Sequence, residues 1–141
     1  RLGFAVGRPE IIEGLGGIKS NIDSGAFQAI QIAGIAALEG DQTCVQNMNK
    51  KYQERRNILV DGVIDLGLSV KKPKATFYVW IEVPDGYTSA AFTTHLLTKG
   101  GIVVTPGNGF GSAGEGYVRM ALTVGKERLK EVIERIRAIG F

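Results

Sequence analysis

Two segments of the chain carry residue types that could do chemistry. The first is the run Tyr117-Val-Arg-Met-Ala-Leu-Thr123, in which Arg119 stands in the middle of an otherwise apolar stretch. Strand alternation sends Val118, Met120 and Leu122 one way, and Tyr117, Arg119 and Ala121 the other. An isolated buried cation is very costly, so a partner is required. Guanidinium is a rigid fork matched to a carboxylate. That carboxylate is either a structural Asp or Glu or one brought by a ligand, and the strand pattern alone leaves both open. The second segment, just upstream, is Pro106-Gly-Asn-Gly-Phe-Gly-Ser-Ala-Gly-Glu-Gly116, a loop dense in glycine. Long loops in compact domains usually shape a site, which favours the ligand for Arg119. Gly109 to Gly114 matches G-x-G-x-x-G formally, but a strand follows it where a dinucleotide fold needs a helix.

Other reactive side chains lack companions. His95 lies in a helical pattern with no Asp, Cys or Ser at triad or metal-ligand spacing. Cys44, the lone cysteine, sits in a first helical turn where a thiol pKa can fall, yet nothing near it completes a motif. The basic run Lys50, Lys51, Arg55 and Arg56 reads as a solvated helix face. No P-loop, Gly-x-Ser-x-Gly elbow or metal cluster is present in the sequence.

The elements that must position these groups follow from periodicity. Residues 1–7 alternate like a short strand, and Glu10 to Ile18 suits a helix opened by Pro9. Ala26 to Leu38 is apolar nearly all round, which predicts a helix buried on several sides. Asp41 can cap the next helix, Thr43 to Leu66, which at about 1.5 Å per residue is on the order of 35 Å long. Leu68 to Val70, Thr76 to Val83, Ile102 to Thr105 and Tyr117 to Val124 read as strands. Thr88 to Thr98 and Lys126 to Ile139 read as helices. The class is α+β, a small sheet covered by helices on one face. A chain that opens in mid-strand reads as a piece of something longer.

Composition narrows the function classes. Hydrophobic residues at 44% and charged residues at 22% of 141 positions describe a globular chain, not a disordered one. A net charge of +3, dispersed, argues against a nucleic-acid partner. No apolar run is long enough to span a membrane, and one cysteine suits a reducing, cytoplasmic setting.

Five strings, taken together, resemble fold-type I, class I/II aminotransferases, which depend on pyridoxal 5'-phosphate. They are Arg1 to Gly7, Lys19 to Gly25, Ala75 to Trp80, Val104 to Gly107 and Gly114 to Leu122, in order over essentially the whole chain. Ser20 to Gly25 with Thr105 to Gly111 is most similar to the LL-diaminopimelate branch, which serves lysine biosynthesis. The resemblance implies residues 1–42 as the tail of a large cofactor domain, 43–66 as a long connecting helix, and 67–141 as a small C-terminal α+β domain. It also implies a homodimer that takes amino-acid and 2-oxo-acid substrates. By the same resemblance Arg1 binds the cofactor phosphate and Arg119 grips the substrate α-carboxylate. Asn21 lies in a loop that nears the dimer partner's site, and Phe77 and Asn108 wall the substrate pocket. The family's Schiff-base lysine belongs to a Ser-Lys motif eight residues before that first arginine. None of the nine lysines here has that context, so the chain alone should be inactive. A decarboxylase or carbon–sulfur lyase on the same scaffold, and a stand-alone carboxylate-binding domain, are the competing expectations.

Overall fold

The computed structural model describes residues 2–141. The chain divides into two compact units, one ending at Gln46 and the other beginning at Asn47.

The first unit is helical. Helix α1 (Pro9–Ser20) starts with Pro9 in the first turn, where a missing N–H is harmless, and Glu10 beside the positive helix end. Its last turn closes on Asn21, whose side-chain amide donates to the Gly17 carbonyl at 2.7 Å. Helix α2 (Gln28–Glu39) follows. At Gly34 the helix backbone meets the Leu2 side chain, and a Cβ there would collide with Leu2 Cδ2. Two sequence expectations are corrected in this unit. Residues 2–7 form no ladder, since a strand exists only by pairing and the described residues offer it no neighbour. Helix α2 is exposed rather than buried: Ile32 and Leu38 are 60% and 75% accessible. A unit of two short helices has too few elements to cover an all-round apolar one.

Helix α3 (Thr43–Asp65) carries the chain into the second unit. Asp41 caps it as expected, accepting the Thr43 N–H at 2.9 Å and its hydroxyl at 2.7 Å, and these bonds hold the Asp41 carboxyl below its ordinary pKa. At the far end Gly67 takes a left-handed φ of 86°, and the Leu68 N–H bonds back to the Val63 carbonyl at 3.0 Å, closing the helix in a glycine cap.

Three short strands form the second unit's sheet: β1 (Tyr78–Glu82), β2 (Thr105–Pro106) and β3 (Tyr117–Ala121). β3 is central, antiparallel to both neighbours, and Arg119 faces Trp80 on one side and Thr105 on the other. Between β1 and β2 runs α4 (Ser89–Gly100), and α5 (Lys126–Ile139) ends the chain with the bounds its periodicity predicts. Val79, Ile81, Val118, Met120 and Leu122 bury one sheet face against Leu59, Val60 and Val63 of α3, Phe92 and Leu96 of α4, and Leu129 and Ile136 of α5. Helices α3 and α5 approach closely at Gly62, where a Cβ would collide with Ile133 Cδ1. The α+β class holds. Two expected strands shrink: Leu68 to Val70 leaves one bridge, Val70 to Ile81, and Ile102 to Thr105 pairs only at its end. Ile102 and Val104 still point into the core while Val103 is 84% exposed, so the alternation survives where the ladder partner is missing.

Candidate substrate-binding site

With one sheet face in the core, the opposite face presents Tyr78, Trp80 and Glu82 of β1 beside Tyr117, Arg119 and Ala121 of β3. Arg119 is half-buried on this aromatic surface. Its guanidinium carbon lies over the Tyr78 ring at 4.0 Å and over the Phe110 ring at 4.4 Å. Among the described residues no carboxylate comes within 4.0 Å of it, and its N–H groups donate to no other side chain or carbonyl. The structural-carboxylate alternative for the strand arginine therefore finds no partner within these residues. A cation held by ring faces keeps its donors free for an arriving anion.

Phe110 reaches this surface from the glycine-rich segment, which folds into two 3-10 turns, Gly107–Phe110 and Ser112–Gly114. The turns lie back to back. A Cβ at Gly107 would collide with the Gly114 carbonyl oxygen, and one at Gly114 with that of Gly107, so neither position has room for any other residue. The segment is also tied to α4. One Glu115 carboxylate oxygen accepts the Ser89 N–H at 2.8 Å, at the positive end of that helix. The buried Ser89 hydroxyl oxygen accepts the Tyr117 N–H at 3.1 Å. The Ser89 N–H bond holds the Glu115 carboxyl below its ordinary pKa.

The other predicted residues are distributed unevenly. Asn108 is exposed on the first 3-10 turn, where its carbonyl accepts the Gly111 N–H at 3.1 Å. Phe77 packs at a tilt against Tyr78, with ring centroids 4.6 Å apart, and against Tyr52 at 5.8 Å, one ring removed from Arg119. It lines an open cleft of about 540 Å3 with Tyr52, Arg56 and Lys74. Thr76, just before it, has a φ of 72°, a left-handed backbone that a β-branched residue adopts only under strain. Asn21 belongs to the first unit, and Arg1 lies outside the described residues. Tyr78 and Phe110, which touch the guanidinium, are not among the residues singled out in the sequence. Tyr78 was accessible to the same alternation argument, since it shares the Arg119 face of the sheet; Phe110 depends on a loop fold that periodicity does not describe.

His95 is structural. Its ring nitrogen Nε2 lies 2.8 Å from the Gly140 carbonyl, and the ring packs edge-on to Tyr87 at 5.5 Å, fastening α4 to the chain end. Cys44 is a free, exposed thiol. The described residues hold no group of three metal-ligating side chains and no helix long and apolar enough to cross a membrane.

Residues 1–136 match the family model for aminotransferase class I and II. The chain is 59% identical over its full length to an LL-diaminopimelate aminotransferase of Syntrophobacter fumaroxidans, and 59% identical over 139 residues to one of Moorella thermoacetica. It spans 36% of the length of each. An aminotransferase structure from Staphylococcus aureus superimposes with a TM-score of 0.85 at 30% identity, over 95% of this chain and 36% of that one.

Proposed function

Since the chain belongs to the class I and II aminotransferase family, we propose that it is the substrate-orienting C-terminal part of a pyridoxal-phosphate enzyme. That enzyme moves an amino group between an amino acid and a 2-oxo acid. The similarity to LL-diaminopimelate aminotransferases supports LL-diaminopimelate and 2-oxoglutarate as the pair. In this reading residues 1–42 complete a large cofactor domain, 43–66 connect, and 67–141 form the small domain of a cytoplasmic homodimer.

The observation that carries the proposal is the Arg119 guanidinium, half-buried among rings on a strand paired on both sides, with no carboxylate of the described residues to neutralise it. The group fits a planar substrate carboxylate taken bidentately. Strand pairing fixes its Cα, so the α-carbon next to that carboxylate is delivered to one place. Phe77 and Asn108 then stand as pocket walls and Asn21 as a contact toward a second subunit. Pyridoxal phosphate, when bound, supplies the electron sink and the carbonyl for amino-group exchange. In this chain only Arg1 is assigned to it, and the cation-and-ring surface around Arg119 fits a substrate acid, not the cofactor. What the described residues do is bind and orient the substrate and shield its carboxylate from water.

The test is Arg119→Ala in the full-length protein. Losing a charge-assisted bidentate pair should lower kcat/KM by about 100-fold and raise KM, with the cofactor absorbance kept. Unchanged kinetics would reject the assignment. Incubation with 2-oxoglutarate and an amino donor tests the reaction class: new glutamate supports transamination, whereas carbon dioxide or a released thiol would indicate a decarboxylase or lyase.

A further inference from the structure

The two rings at the Arg119 guanidinium come from different elements and are each braced from behind. Tyr78 sits on β1, two residues from the Trp80–Arg119 pair, and packs against Phe77 at 4.6 Å. Phe110 comes from the pinched glycine segment and meets Trp80 edge-on at 5.4 Å. Both centroids lie well inside the roughly 6 Å reach of a cation–π contact. Phe110 is 52% exposed, so core burial does not explain its position. Its place is set by the back-to-back glycines and by the Glu115 to Ser89 bond.

An unpartnered arginine samples many rotamers, and a ligand that binds it must bear the cost of ordering them. A neighbouring Asp or Glu would hold the side chain but would compete with an incoming acid for the same donors. Ring faces hold the cation and leave its N–H groups available. We infer that Tyr78 and Phe110 are positioning residues that pre-order the Arg119 guanidinium for the substrate α-carboxylate, with Phe110 the one that sets carboxylate affinity. The inference rests on the reading of Arg119 as the carboxylate grip.

The experiment compares Phe110→Leu and Phe110→Tyr with Arg119→Ala in the full-length, cofactor-loaded protein. The donors are an amino acid and the primary amine that lacks its α-carboxylate. Phe110→Leu should raise KM for the amino acid and the 2-oxo acid about five- to tenfold, with kcat falling far less. Its preference for the amino acid over the amine should drop by a similar factor. Phe110→Tyr, which keeps a ring, should restore the original KM. Because Phe110 is half exposed, thermal melting should show the leucine variant folded. If Arg119→Ala raises KM but Phe110→Leu does not, or if the leucine variant slows amino acid and amine alike, the positioning role is overturned and the grip stands. If Arg119→Ala leaves KM unchanged, both fall together.

Discussion

A single guanidinium illustrates how much chemistry one side chain inherits from its surroundings. Arg119 is a cation among apolar strand neighbours, and the described residues answer it with rings, not with an acid. The requirement for a partner was legible in the residue order, because alternation alone puts the arginine on a face shared with Tyr117 and Ala121. The partners themselves were not, because Phe110 reaches the site through a loop whose path depends on glycine contacts. Glu115 makes a second prediction at this scale. Its carboxyl is held below the ordinary range by the Ser89 N–H, so the charged form is favoured in the folded chain. The tie to α4 is then in full force above the ordinary carboxylate range and is lost as pH falls through the lowered value. Glu115→Gln should reproduce the low-pH state at neutral pH. Hydrogen exchange across residues 88–92 in the full-length protein should be faster in the variant at neutral pH, with the difference shrinking on acidification. Equal protection at neutral pH would remove the tie from the account.

Among the elements, α5 keeps the bounds expected from its periodicity, whereas α4 runs two residues past the expected end at Thr98. Helix α5 ends where its apolar stripe ends, and α4 closes on Gly101, with a left-handed φ of 61° and the Ile102 N–H bonded to the Leu96 carbonyl at 3.0 Å. Strands were less readable, because a strand is defined by a neighbour that lies far away in sequence. The stretch Ile102 to Thr105 alternates correctly and yet pairs only where β3 runs alongside. Two glycines carry element-scale predictions. Gly107→Ala drives a methyl into the Gly114 backbone, which cannot swing away, and should cost about 1–3 kcal/mol and loosen the loop that presents Phe110. Gly62→Ala meets Cδ1, Cγ1 and Cγ2 of the Ile133 side chain, so Ile133→Val in the same chain, which removes Cδ1, should recover part of the loss. Thermal melts of the single and double variants check both; an additive double variant would mean that Gly62 does not set the distance between α3 and α5.

At the scale of the whole molecule, the two units differ in how they treat apolar residues. The unit from Asn47 buries a continuous core, while in the first unit Ile18, Ile22, Phe27 and Leu38 are each more than half exposed. Exposed apolar surface of this extent marks a face meant to be covered. The 141-residue chain on its own should therefore self-associate or bind a hydrophobic dye, and a segment completing the length of its relatives should suppress both. A clean monomer at high concentration that binds no dye would contradict this. The sequence by itself determined the α+β class, the helices, the inward and outward sides of β3, and the need of Arg119 for a partner, because each of these depends on residues close together in the chain. Only the tertiary structure decided that residues 2–7 pair with nothing described and that α2 lies bare. It alone brought Tyr78 and Phe110 to one guanidinium. Those outcomes depend on contacts across a folded loop, as for Phe110, or between separate strands, as for Tyr78, whose geometry local periodicity does not contain.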